Sequence, residues 1–417
     1  MKELQSLPLA RKIQITQARI IEWYQHYDGK VCVSFSGGKD STVLLHIARQ
    51  LFPNIPAVFS NTGLEYAEIQ RFVKSWDNVD IIVPKMRFDE VISTYGYPII
   101  GKEVAEAIYY ARRIRKKERK RIEVAENNLI ETSSARNRRS VLQGKWGKTE
   151  GRKRAEFSGN RPNTDDKEKT EWADWRRCCL QSNSAEKFGE KSIFNKEKWL
   201  PLCRDVPILI SHYCCYKMKK LPIKQYQHEH DYRPILATLA EESRVRKQAW
   251  LRHGCNAFDS KDPMSQPMSF WTEQDVLAYI VRYNVPISSV YGDIVSMGED
   301  GNAYPPKDLT GHPLCNLKCT GCQRTGCVYC AFGVHLEKGE TRFHQLAKIE
   351  PRKYEYAMGG GQWSDNPFYD PTAPKMDGEW ENWNPKKIWT PSKKGLGMAK
   401  AFDMVNEIYG KDFIRYD

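Results

Sequence analysis

No stretch of the 417-residue chain approaches the roughly 18 consecutive apolar residues that a membrane-spanning helix needs. The first residues, MKELQSLPLARKIQITQARI, lack an apolar core followed by a small-residue cleavage site, so no signal peptide is read and a cytoplasmic protein is expected. No internal repeat is visible. Acidic surplus is missing too: 65 Lys+Arg stand against 52 Asp+Glu, a net charge of +13. What is present is a globular composition, 40% hydrophobic and 12% aromatic, which excludes wholesale disorder. Length alone suggests two or three structural units at roughly 100–200 residues each. The twelve cysteines, in a chain without a secretory leader, read as metal ligands or redox groups rather than a disulfide framework.

The positive charge is concentrated. Residues 101–200 hold 26 Lys+Arg and 16 Asp+Glu, leaving +10 in that quarter of the chain. Within it, residues 111–154 hold 16 Lys+Arg and 5 Asp+Glu, or +11. Such a run is either a solvated basic helix or a contact for an acidic partner, and nucleic acid is the expected partner.

Periodicity gives the organisation. Residues 2–26 carry Leu4, Leu7, Ile13, Ile20 and Tyr24 near helical spacing. Lys30 to Phe35 alternates and is β-branched, as a strand does, and Ser36 to Ser41 is a turn. An apolar helix over Thr42 to Leu51, a strand over Pro56 to Ser60, a helix over Tyr66 to Trp76 and a strand over Val79 to Val83 follow. This alternation predicts an α/β fold with a doubly wound parallel sheet. Further on come a strand over Arg233 to Leu239, a helix over Glu242 to Arg252, and a helix over Trp271 to Tyr283 with Thr272 as N-cap. The expected divisions are an N-terminal helix (1–27), a nucleotide-binding α/β domain (28–105 and 200–300), a basic insertion (106–199), and a Cys-rich region with a C-terminal tail (301–417).

SFSGGKDS follows a predicted strand and opens a predicted helix. Backbone N–H groups at a helix N-terminus attract phosphate, and glycines let the backbone come close. Lys39 adds positive charge, while Ser36 and Ser41 add hydroxyls; the run is not a Walker A sequence. SGGKDS resembles the pyrophosphate loop of the adenine nucleotide alpha-hydrolase superfamily. VFSNTGLEY and LATLAEESRVR resemble the second-strand segment and the Glu-Ser-Arg motif of the phosphoadenosine phosphosulfate (PAPS) reductase family. The resemblance covers about half the chain, over residues 30–103 and 200–335. It implies that Ser36, Gly37, Gly38, Lys39, Asp40 and Ser41 hold phosphates, with Thr62, Gly63 and Glu65 at the carboxyl end of the second strand. It places Glu242, Ser243, Arg244 and Arg246 across the cleft, where an arginine clamps an acidic group. Lys39, Asp40 and Arg244 are the expected catalytic residues, and Asp40 the expected holder of Mg²⁺.

Cys214-Cys215 is an adjacent pair, and Cys327-Val328-Tyr329-Cys330 is a CxxC. Adjacent cysteines fit a tetrahedral zinc site poorly and an iron–sulfur cluster better, since each thiolate ligates its own iron. The arrangement is similar to that of cluster-bearing members of the PAPS reductase family. It implies that Cys214, Cys215, Cys327 and Cys330 hold [4Fe–4S], with Lys217, Lys219 and Lys220 offsetting negative charge. CNLKCTGC, with Cys315, Cys319 and Cys322, has the spacing of radical S-adenosylmethionine enzymes but sits at the end of a different fold. A small zinc site, or a ligand set shared with Cys327 and Cys330, is the alternative. Cys32 falls in a buried strand; Cys178, Cys179 and Cys255 have no assigned role.

The loop is complete, which favours ATP split to an adenylate and pyrophosphate. The reductases that this chain resembles attack the sulfonucleotide with a cysteine in a Glu-Cys-Gly motif, and no cysteine follows Cys330 here. The expected function is therefore an ATP pyrophosphatase with an iron–sulfur cluster and Mg²⁺. It adenylates an acceptor, expected to be nucleic acid held by 111–154, for sulfur incorporation from a donor protein. The alternatives are a PAPS or adenylyl sulfate reductase acting on a small sulfonucleotide, and a non-catalytic nucleotide-binding subunit of a complex.

Overall fold

The computed structural model describes residues 2–112, 180, 190, 192, 194–306, 316–371 and 383–417. Of the basic segment 111–154 only Ala111 and Arg112 are therefore described, and Cys178, Cys179 and Cys315 lie outside the described residues. The chain divides into two compact units, Met1–Arg87 with Tyr216–Val328, and Phe88–Cys215 with Tyr329–Asp417.

The first unit holds a six-stranded sheet. Its order is Val79–Ile82, Ala57–Ser60, Val31–Ser34, Arg233–Ile235, Met264–Ser265, Asn256–Ala257. All neighbours run parallel except the last pair, which is antiparallel. The doubly wound α/β expectation therefore holds. The central strand is buried from Val31 to Val33, as β-branched residues flanked on both faces require. Helix Lys39–Leu51 buries Val43, Leu44, Leu45, Ile47 and Ala48. Helix Leu9–His26 packs against it and against helix Glu273–Tyr283. Lys12, only 2% exposed, reaches across that contact to Asp275 at 2.6 Å.

Local boundaries differ where backbone hydrogen bonds find other partners. The helix expected from Thr42 begins at Lys39, with Gly38 as its N-cap residue. The strand expected over Arg233 to Leu239 spans only Arg233–Ile235. Beyond it the Leu236 N–H donates to Ser265 O and the Ala240 N–H to Ser269 O, so the chain peels away from the ladder beside Val31–Ser34. Helix Arg244–His253 starts where the Ser243 hydroxyl accepts the Arg246 N–H at 3.2 Å. Helix Glu273–Tyr283 starts in the expected place, with a Thr272–Asp275 capping box. A small antiparallel sheet (Leu317–Cys319, Ile294–Met297, Ala303–Tyr304) completes this unit.

The second unit is mainly helical. Arg112 closes its helix Lys102–Ala111, and its guanidinium is buried, donating to the carbonyls of Leu202, Cys203, Val206 and Ile208. It also lies over the Trp383 ring at 4.2 Å. Arg112 is thus a structural cation, although it falls inside the basic run. An antiparallel hairpin, Gln362–Asp365 with Lys387–Thr390, lies in the same unit.

Candidate nucleotide site

The site is built within the first unit. Val31–Ser34 ends, the chain turns through Ser36 to Gly38, and helix Lys39–Leu51 begins. Gly37 has φ +70, a left-handed conformation that glycine adopts without penalty. A Cβ there would lie 2.8 Å from the methyl groups of Ile69 and Val73, so side-chain packing also demands glycine. The turn is laced by hydroxyls: Ser36 Oγ and Ser41 Oγ are 2.9 Å apart, and Ser41 Oγ donates to Gly38 O at 2.9 Å. The Ser36 N–H donates to Ser41 Oγ at 3.2 Å. Sequence and fold together place a pre-formed helix N-terminus at the carboxyl end of the central strand, where open α/β sheets bind ligands.

Lys39 is 5% exposed, yet its ammonium donates to Glu273 Oε1 at 2.5 Å and to Gln323 O at 2.8 Å. Its backbone N–H donates to the Tyr291 hydroxyl at 3.2 Å, and that hydroxyl meets Thr325 Oγ1 at 2.5 Å. Burial pushes the Tyr291 phenol up to about 12, so it stays protonated as a hydrogen-bonding group at neutral pH. Asp40 is held above the ordinary carboxylate range, first by burial. Lys39 beside it opposes this rise, Glu273 adds to it, and Arg324 and Arg246 oppose it. Arg246 and Glu242, four residues apart in sequence, form an ion pair across the start of helix Arg244–His253, and Arg324 lies 3.7 Å from the same carboxylate. Arg244 stands exposed at the first position of its helix, while Arg246, two residues on, acts on Asp40 together with Arg324.

A second group of expected residues lies at the end of Ala57–Ser60. The Thr62 hydroxyl donates to the buried Glu65 carboxylate, whose oxygens are 2.8 and 2.9 Å away. Gly63 has φ +74 and open space around its missing Cβ. Glu65 pairs with Lys219 at 3.1 Å, and Lys219 also bonds Cys327. Burial disfavours the Lys219 ammonium, but Cys327 and Glu65 more than compensate and raise its pKa above the usual lysine range. The Val328 N–H donates to Leu64 O at 2.8 Å, which fastens the cysteine segment to this strand end.

The remaining cysteines are distributed as follows. Cys319 and Cys322 are buried, and burial raises both thiols. Cys32 is core, as expected, and burial pushes it up to about 12. In the second unit Cys214 Sγ lies 3.9 Å from Cys215 Sγ, and Cys330 belongs to the same unit. Among the described residues no group of three or more His, Cys, Asp or Glu is gathered so as to hold a metal ion. No helix among them is long and apolar enough to cross a membrane.

Sequence reasoning missed Glu273, Tyr291, Gln323, Arg324 and Thr325 as neighbours of the loop. Glu273 reads as an ordinary acidic first-turn residue, and Tyr291 sits in a short helical turn, Ser289–Tyr291, with no motif around it. Only the tertiary fold brings residues so distant in sequence onto Lys39.

Residues 30–119 match the model of the phosphoadenosine phosphosulfate reductase domain. An adenosine 5'-phosphosulfate reductase of Bacillus cereus is 30% identical over 84 residues, which cover 18% of this chain and 36% of that relative. The chain thus spans about a third of the length of the curated relative it matches.

Proposed function

We propose that this chain, which carries a phosphoadenosine phosphosulfate reductase domain over residues 30–119, is an ATP pyrophosphatase that adenylates an acceptor for sulfur incorporation. The observation that supports this most is the complete SGGKDS turn at the N-terminus of helix Lys39–Leu51, with both a lysine and an acid at its first two positions. In this reading the helix N–H groups and the hydroxyls of Ser36 and Ser41 receive the phosphates. Lys39 exchanges Glu273 for phosphate oxygen. Arg246, Arg244 and Arg324 supply positive charge for the leaving pyrophosphate, with Glu242 and Ser243 setting the helix that carries the first two. Thr62, Gly63 and Glu65 bind the rest of the adenine nucleotide. An acceptor oxygen attacks the α-phosphorus, the bond to pyrophosphate breaks, and AMP stays on the acceptor as a leaving group for sulfur.

Two bound groups belong to the proposal. Asp40, with its carboxylate at the loop, is the residue for Mg²⁺, which would neutralise phosphate charge. Cys214, Cys215, Cys327 and Cys330 are proposed as [4Fe–4S] ligands on the sequence pattern. The partly exposed Lys219 ammonium, whose charge acts on Cys327, is a suitable neighbour for a thiolate. The acceptor is proposed to be nucleic acid, with residues beyond Arg112 in the basic run as one contact and a sulfur-donor protein as a further partner.

The test is a turnover panel on anaerobically purified protein with iron and sulfide analysis. Pyrophosphate release from ATP, with iron that is lost in the Cys327→Ser variant, is expected. A second reading, a sulfonucleotide reductase, is favoured by the similarity to an adenosine 5'-phosphosulfate reductase. Sulfite release from a sulfonucleotide with a thiol donor, and no pyrophosphate from ATP, would establish it instead.

A further inference from the structure

We propose that the outer face of the hairpin Gln362–Asp365/Lys387–Thr390 is a docking surface for single-stranded nucleic acid, with one base stacking on Trp363 and the backbone passing over Lys387, Lys393 and Lys394. This rests on the reading of a nucleic-acid acceptor and adds a binding site separate from the basic run.

The register pairs Trp363 with Trp389 and Asp365 with Lys387, so the period of two sets all four on one face. On the opposite face the second strand is committed to the interior: Ile388 is 1% exposed and packs with Leu209 and Trp383. Trp389 is fixed in place. Its Nε1–H donates to Gly397 O at 2.8 Å, and a Cβ added at Gly361 or Gly397 would come within 2.3 or 2.6 Å of its ring atoms. Trp363 stands edge-on to it, with ring centroids 5.6 Å apart at 71°, and remains 50% exposed. Phe368 and Tyr369, a few residues on, are each 41% exposed. A fixed indole carrying a second, half-exposed indole is a stacking platform, because every base offers a π-face.

The charge complements a phosphate strand. Residues 383–394, WNPKKIWTPSKK, contain four lysines and no acid. Lys386, Lys387, Lys393 and Lys394 are all exposed. The turn bearing Lys393 and Lys394 is held to the hairpin by the Gly361 N–H, which donates to Ser392 Oγ at 3.0 Å. Among the described residues, Asp365 is the carboxylate set on this face by the register; it is 82% exposed and pairs with Lys387 at 2.8 Å, a solvated pair that a phosphate can replace. A duplex keeps its bases stacked inside, whereas single strands present splayed bases to aromatic side chains.

Fluorescence anisotropy of a labelled single-stranded oligonucleotide on the full-length protein tests this. Trp363→Ala should weaken binding roughly 5- to 150-fold, the range expected when one base–aromatic stack is removed. Trp363→Phe should restore most of it. Lys393→Glu with Lys394→Glu should reduce the log–log salt slope by about 0.7 for each phosphate that is no longer neutralised. Calorimetric ATP affinity should be unchanged in all three variants, which checks folding. Equal binding by parent and Trp363→Ala, or equal binding of duplex and single strand, overturns the platform while leaving a nucleic-acid acceptor standing. No oligonucleotide binding despite pyrophosphate release from ATP overturns the platform and the nucleic-acid acceptor, but not the pyrophosphatase.

Discussion

Replacing Gly37 by alanine should separate two physical demands that the turn before helix Lys39–Leu51 places on one residue. The first is backbone conformation: at φ +70 an L-residue costs about 1–2 kcal/mol. The second is space, since the new methyl would lie 2.8 Å from both Ile69 Cγ2 and Val73 Cγ2. Val73 is fully buried and Ile69 nearly so, and neither can move without disturbing the helix Ala67–Lys74 that carries them. Overpacking of this kind costs about 1–3 kcal/mol. Gly63→Ala is the internal control, because Gly63 has φ +74 but no atom within 4 Å of its missing Cβ. Gly63→Ala should therefore lose only the backbone part, and Gly37→Ala about 1–3 kcal/mol more. Urea unfolding at fixed pH, followed by tryptophan fluorescence, gives both midpoints. Adding Val73→Ala to Gly37→Ala should produce a favourable coupling energy, as expected when one of the two clashing methyls is removed. Equal destabilisation by the two glycine replacements, or strictly additive effects in the double variant, would refute the packing account of this turn.

Two further outcomes follow from the same site. Lys39→Ala should weaken ATP binding in calorimetric titration by about 1.5–3 kcal/mol, the value of a charge-assisted hydrogen bond, and Gly38→Val should block close approach of phosphate to the helix N-terminus. Unchanged affinity in both would remove the loop from the site. For Asp40, burial holds the folded pKa above the ordinary carboxylate value, so between those two values the folded chain binds more protons than the unfolded one. Stability should therefore fall as pH rises through that window, and Asp40→Asn should remove this part of the slope. Identical slopes in parent and variant would show that Asp40 is not desolvated.

The Ser36–Ser41 turn was legible in the sequence because its requirements are local. Small residues, a lysine and hydroxyls between a β-branched run and an apolar helix can form only a few backbone shapes, and Gly37 marks where a side chain cannot go. The alternation of strands and helices over residues 30–83 likewise carried the parallel sheet, since sequential parallel strands need helical crossovers. The Thr272 N-cap was readable for the same reason: its capping box closes within four residues.

What surrounds Lys39 was decided elsewhere. Glu273, Tyr291, Gln323 and Thr325 reach the loop from positions more than 230 residues away in sequence, through packing set by sheet order and helix placement. The same holds for Arg112, whose charge reads as part of a basic run but whose guanidinium is consumed by four buried carbonyls. Composition shows how many charges a segment has. Whether each faces water, a carbonyl or a carboxylate depends on which distant backbone the fold lays beside it, because desolvation and hydrogen bonding act over a few ångströms of space and not along the chain.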